Sequence, residues 1–184
     1  ELTSPPPIAE LAADIIHLGV GVTPAILLAA EADWGWTDPA GARLADDAAP
    51  DPLVTGWLAE HGAPVFADDL EPVPPDLREL AERIFEGQAA RAILPVRSGD
   101  ELLGMILLPA QARRIRGRGL VFVERAADRL AEALLHARLA RRAAERAELA
   151  RELELAAAVQ AELLPGRGPH VHGDVTVVGS WLPA

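Results

Sequence analysis

From Leu120 to Leu164 the chain contains neither Gly nor Pro, and Ala, Leu, Glu and Arg dominate. These are strong helix formers, so nothing ends the helix before Leu163-Leu164-Pro165. About 45 residues at 1.5 Å each make a rod of roughly 68 Å, longer than a chain of 184 residues can bury against one core. The fold must therefore root the start of this helix and leave its remainder outside. Phe122, Val123, Ala126, Ala127, Leu130 and Leu134 form the rooting face.

Further along, spacings of alternately four and three select Leu135, Leu139, Arg142, Arg146, Leu149, Leu153, Ala156, Gln160 and Leu163. Six of these nine are apolar, which predicts a coiled-coil seam weakened at Arg142 and Arg146. Glu145 and Glu152 flank it and can pair with arginines across a parallel dimer. The alternative is a solvated single helix held by pairs such as Arg141–Glu145. The homodimer is preferred, because an exposed leucine seam beside a domain is usually covered.

The chain lacks cysteine, which excludes disulfides, thiolate metal sites and cysteine catalysis. It also lacks Lys, Asn and Tyr, so its 17 basic charges are all Arg. Residues 1–87 carry 17 Asp/Glu against 3 Arg, and residues 88–184 carry 11 against 14. An acidic first half repels phosphates and argues against nucleic acid as a partner. Arg113, Arg114, Arg116 and Arg118 are read as a solvated loop before the helix rather than a phosphate site. Glu10, Asp14, His17 and Pro24 interrupt the most hydrophobic stretch, so no membrane span is expected. Position 1 is Glu and no signal segment is visible, which reads as a cytoplasmic fragment of a longer chain.

Ahead of the rod, Ile8, Leu11, Ala12, Ile15 and Ile16 have helical spacing, and Gly19 and Gly21 end that helix. Residues 25–32 read as a buried strand, Trp34 through Gly41 as a turn, and Ala42–Ala45 as a second strand. Asp51 and Pro52 open a helix running to Glu60. Pro64–Ala67 is a short strand and Pro75–Phe85 another helix, with Leu77, Leu80, Ala81 and Ile84 on one face. The clearest signal is a hairpin, Ala92–Arg97 and Leu102–Leu108 joined by Ser98-Gly99-Asp100-Glu101. The pattern predicts α+β: an antiparallel sheet flanked by helices, with a long C-terminal coiled-coil helix.

The hairpin Ala92-Ile93-Leu94-Pro95-Val96-Arg97-Ser98-Gly99-Asp100-Glu101-Leu102-Leu103-Gly104-Met105-Ile106-Leu107-Leu108 resembles the central hairpin of the GAF sensor family. The run from Asp128 to Leu139 resembles that family's terminal helix. The resemblance implies a GAF-like domain over residues 5–134, with a ligand pocket on one face of its sheet and dimerising helices on the other. Residues 135–164 are then a helical linker. The run from Glu152 to Pro165, with Val159-Gln160 and Leu163-Leu164-Pro165, is similar to the entry segment of bacterial PPM-type serine/threonine phosphatases of the SpoIIE/RsbU group. In that family a strand ending in Leu-Pro-Ala follows, as in Trp181-Leu182-Pro183-Ala184. Residues 165–184 would be the truncated start of such a domain. Its aspartates for paired Mn²⁺ or Mg²⁺ would lie beyond this point, so the fragment itself should be catalytically inert and need no cofactor.

The resemblance leaves the ligand open while excluding several. A covalent bilin and the methionine sulfoxide reductase chemistry of GAF proteins both need cysteine. The cyclic-nucleotide branch needs Asn and Lys. Trp34, Trp36, Trp57, Phe66 and Phe85 could line an apolar pocket for an unknown small molecule, with Arg91 for an anionic group; core packing is the competing reading of each. His17 and His61 read as hydrogen-bonded residues before haem ligands. His170 and His172 alternate on a strand-like segment and could share Zn²⁺, but a loop is preferred there. No metal site is assigned. His136 lacks the acidic neighbour and downstream Pro of a histidine-kinase phospho-acceptor, which ranks that output below the phosphatase.

Overall fold

In the computed structural model, the hairpin expected at residues 92–108 forms the middle of a sheet. The structure describes residues 6–29, 36–37, 49–110, 112, 115–163 and 170–178, with the backbone alone for 6–7, 36–37, 161–163 and 170. The elements are α1 (Pro6–Val20), β1 (Ala25–Ala29), β2 (Trp36–Thr37), α2 (Pro52–His61), β3 (Val65–Phe66), α3 (Arg78–Gly87), β4 (Ala90–Ser98), β5 (Glu101–Pro109), α4 (Arg118–Leu163), β6 (His170–His172) and β7 (Val175–Val177). The first five strands form one antiparallel sheet in the order β2-β1-β5-β4-β3. The class is α+β, as the sequence predicts.

β5 is apolar without alternation, and Leu103, Met105, Ile106, Leu107 and Leu108 are all essentially inaccessible. Such a strand needs cover on both faces. α1 and α4 cover one, where Ala9, Ala12 and Ile16 meet Leu94, Val96, Ile106, Val123, Leu130 and Leu134. α2 and α3 cover the other, where Val54, Leu58, Ile84 and Phe85 meet Leu27, Ile93, Met105 and Leu107. Two register shifts in the β4–β5 ladder, at Ala90/Ala92 and Val96/Arg97, re-aim side chains. The second leaves Leu103 as an extra residue, so it joins Ile106 and Leu108 in the α1/α4 layer rather than Met105 and Leu107.

Turn chemistry agrees with this register. β4 and β5 are joined by Gly99-Asp100, with Ser98 paired to Glu101. Positive φ there is confined to Gly99 at +59°, the position that mirror-image hairpin turns reserve for glycine. Gly104 faces Leu28 across the β1–β5 ladder, and a Cβ on it would lie 2.6 Å from the Leu27 carbonyl oxygen. Only glycine permits that approach. Beyond β3 the outer edge of β4 continues into Pro95. Arg91 O accepts from Ala67 N and Val65 pairs with Ile93, so Pro95 turns its missing N–H toward that same edge, where proline costs no ladder bond.

Several boundaries differ from expectation. Trp36-Thr37, read as a turn, extends the sheet by pairing with Leu28 and Ala29. α3 starts at Arg78 rather than Pro75, because Pro74–Leu77 forms a preceding turn closed by Leu77 N to Pro74 O. His170–His172, read as a loop, is a strand paired with Val175–Val177 around Gly173. The strand expected at Ala42–Ala45 and the residues of strand 25–32 past Ala29 lie outside the described residues.

The chain divides into two compact units, Glu1–Arg138 and Leu139–Ala184. The first holds the five-stranded sheet and its covering helices. In the second, α4 runs on to Leu163 and the β6–β7 hairpin follows, with every described side chain of residues 139–160 and 171–178 exposed.

Two substitutions test this account by urea denaturation. Gly104→Ala should lower stability by about 2 kcal/mol, because a backbone carbonyl must move. Ala89 has φ +47°, so Ala89→Gly should relieve left-handed strain and raise stability by up to about 1 kcal/mol.

Candidate functional site

α2 and α3 define the sheet face on which the aromatic candidates converge in part. α2 is held at both ends. Asp51 accepts from Leu53 N at 2.9 Å and Pro52 occupies the first turn. At the other end Gly62 takes φ +68°, and its N–H reaches the Leu58 carbonyl. Arg97 of β4 lies over Gly62 and donates to Ala59 O at 3.4 Å and Gly99 O at 3.2 Å. A guanidinium there satisfies a terminal carbonyl and meets the negative end of the helix dipole.

Trp57 and His61, one turn apart on α2, stack with ring centroids 4.6 Å apart and an interplanar angle of 16°. Trp57 is half-buried against the α2/α3 layer, and Phe85 is buried within it. Phe66 packs instead against the α1/α4 layer, since its β3 partner Ala92 points that way. Arg91 is the extra residue of the first β4 bulge, and its guanidinium pairs with Asp68 on the loop after β3. Trp36 is in β2 with its side chain outside the description, and Trp34 lies outside the described residues altogether. The structure thus brings Trp57 and Phe85 to one layer, puts Phe66 in the other, and sets Arg91 at the strand edge.

Among the described residues every buried side chain is apolar, so the α2/α3 layer offers a ligand dispersion contacts but no buried polar anchor. A cavity of about 320 Å³ lies on the opposite side. Its lining includes Pro64, Leu94, Pro95 and, from α4, Val121, Glu124, Arg125 and Asp128, and none of Trp57, Phe66, Phe85 or Arg91. Among the described residues no three His, Asp or Glu side chains are grouped for a metal. The His17 ring is 3.1 Å from the Thr23 hydroxyl. Strand alternation puts His170 and His172 on one face of β6.

Along α4 the buried row Val123, Ala127, Leu130 and Leu134 gives way to an exposed one. Leu135 is half-buried against the core. Leu139, Leu149 and Leu153 are 53–63% exposed, and Arg142, Arg146, Ala156 and Gln160 are exposed with them. The Leu163 side chain lies outside the description. Arg138 carries contacts that sequence inspection passed over. It bonds the Ala29 carbonyl and Glu101. The legible signal was its place four residues after Leu134 and eight after Leu130, on the core-facing row.

No family model and no curated protein matches the chain. Solved structures do. One is a methyl-accepting chemotaxis protein, residues 122 to 287, with a TM-score of 0.51 at 19% identity over 74% of this chain and 90% of that one. Two others are a GAF domain/HD domain protein from Geobacter sulfurreducens (TM-score 0.48, 12% identity, 76% of this chain and 97% of that one) and the cyanobacteriochrome TePixJ GAF domain (TM-score 0.48, 17% identity, 74% and 91%). At these identities the likeness concerns the fold.

Core and surface roles separate by denaturation. Phe85→Ala should cost about 3 kcal/mol through cavity formation, whereas Arg91→Ala, whose partner Asp68 is half exposed, should cost less than about 1 kcal/mol.

Proposed function

We propose that this chain is the input part of a signalling protein: a GAF-type sensory domain whose terminal helix carries a ligand-dependent change toward an output domain. The observation that carries this reading is the two-environment helix α4. It is buried in the core as far as Leu134 and continues for more than twenty further residues with an exposed seam of Leu139, Leu149 and Leu153. A helix needed only for packing has no use for that extension. The resemblance of the central hairpin to GAF domains supports the sensory half of the proposal.

The seam is proposed to pair with that of a second copy, giving a homodimer. α1 supports this, since it shares the sheet face of α4 and exposes Leu11, Ile15 and Leu18 at spacings of four and three. Rotation or register change of two paired helices is a bistable element that both ends can bias. Arg142 and Arg146 would make it adjustable in the middle. The output is proposed to be a Mn²⁺- or Mg²⁺-dependent phosphatase, on the likeness of residues 152–165 and 181–184 to that family's entry segment. A dimerisation module without a ligand is the second reading, favoured by an α2/α3 layer in which, among the described residues, no polar side chain is buried.

Sedimentation equilibrium should give a dimer, and Leu149→Glu combined with Leu153→Glu a monomer with an unchanged globular melting temperature; a wild-type monomer at high micromolar concentration overturns the seam. Thermal-shift screening with nucleotides and small metabolites should find a stabilising ligand for a sensor and none for a dimerisation module. In the intact protein, Mn²⁺-dependent release of phosphate from a phosphoprotein supports the phosphatase output, and autophosphorylation from ATP replaces it with a kinase.

A further inference from the structure

Leu130, Leu134 and Arg138 are spaced by four and stack on one face of α4. The first two are buried in the core. Arg138 continues the row with a side chain only 15% exposed. Its guanidinium donates to the Ala29 carbonyl at 2.8 Å and to a Glu101 carboxylate oxygen at 2.9 Å. Ala29 is the last residue of β1 and pairs with Trp36 of β2. Glu101 is the first residue of β5, beside the Gly99-Asp100 turn. One planar fork therefore spans a helix, the end of one strand and the start of another. Arg138 also closes the first compact unit, and every described side chain from Leu139 to Gln160 is exposed.

We propose that Arg138 is a positioning residue that couples the end of β1 to the turn of α4 at which burial stops. While the Ala29 carbonyl holds its place, the fork clamps that turn against the sheet. When the end of β1 shifts, one of the two acceptors moves, and the turn at 135–142 loses its tether and frays. Charge-assisted bonds to a fixed acceptor are stronger than neutral ones, and a lysine ammonium is a compact point charge without the planar, pre-organised fork of a guanidinium. The inference rests on the sensory reading only for what displaces β1; the coupling itself exists without any ligand.

Hydrogen exchange read by mass spectrometry on the ligand-free protein tests it. Arg138→Ala should speed exchange roughly tenfold in peptides covering both residues 25–29 and 135–142, as loss of a charge-assisted bond implies, while α2 peptides stay protected. Alanine is the better helix former, so faster exchange at 135–142 cannot come from lost propensity. Arg138→Lys, which keeps the charge but not the fork, should speed exchange in both segments, by less than Arg138→Ala does. If Arg138→Ala does not fold, Glu101→Gln at the exposed start of β5 should show the same paired pattern at smaller amplitude. Acceleration confined to one segment, or spread equally into α2, overturns the coupling and leaves Arg138 a structural residue. A ligand screen without hits, beside paired exchange, would remove the sensory reading and keep the coupling.

Discussion

Burial of β5 on both faces is the constraint from which the rest of the globular part follows. A strand that reads Leu103-Gly104-Met105-Ile106-Leu107-Leu108 cannot leave either face in water. Its neighbours β1 and β4 supply the backbone partners, and two helical layers supply the cover. Gly104 belongs to the same constraint, because β1 approaches so closely there that its carbonyl occupies the space of a Cβ. The bulge at Leu103 then passes an extra apolar side chain to the α1/α4 side. The helix layers are thus consequences of one central ladder.

α4 joins two regimes of helix stability. Up to Leu134 it is held by tertiary packing, the main source of helix stability in proteins. Past Arg138 that support ends, and what remains is intrinsic propensity and i,i+4 pairs such as Arg141–Glu145 at 3.2 Å. Arg97 and Arg138 act alike at the margins of the domain. Each brings a long, permanently charged side chain to a backbone carbonyl at the end of a helix or strand.

Much of the architecture was legible where one physical signal dominates. Gly99 between two apolar runs predicts the β4–β5 hairpin, and Asp51-Pro52 predicts α2 to within a residue. The breakless run from Leu120 predicts α4. Elements that rest on tertiary pairing were not legible. Trp36-Thr37 is too short to carry a period and is a strand only because β1 offers it an edge. His170–His172 likewise becomes a strand through its partner Val175–Val177. The candidate site was less legible than the fold. Phe66 and Phe85 are equally apolar in sequence, yet strand register turns Phe66 toward the α1/α4 layer while the packing of α3 puts Phe85 on the other face of the sheet.

The sequence by itself determined the central hairpin, the principal helices, the α+β class, and that one helix outruns its core. Those are local properties of composition, period and turn chemistry, so they survive without a partner. Only the tertiary structure decided which face each aromatic serves, where the bulges fall, and that Arg138 meets Ala29 across more than a hundred residues of chain. Such contacts depend on the parity of strand register and on the rotation of a helix about its axis. A shift of a single residue changes either one while leaving the apolar pattern almost intact.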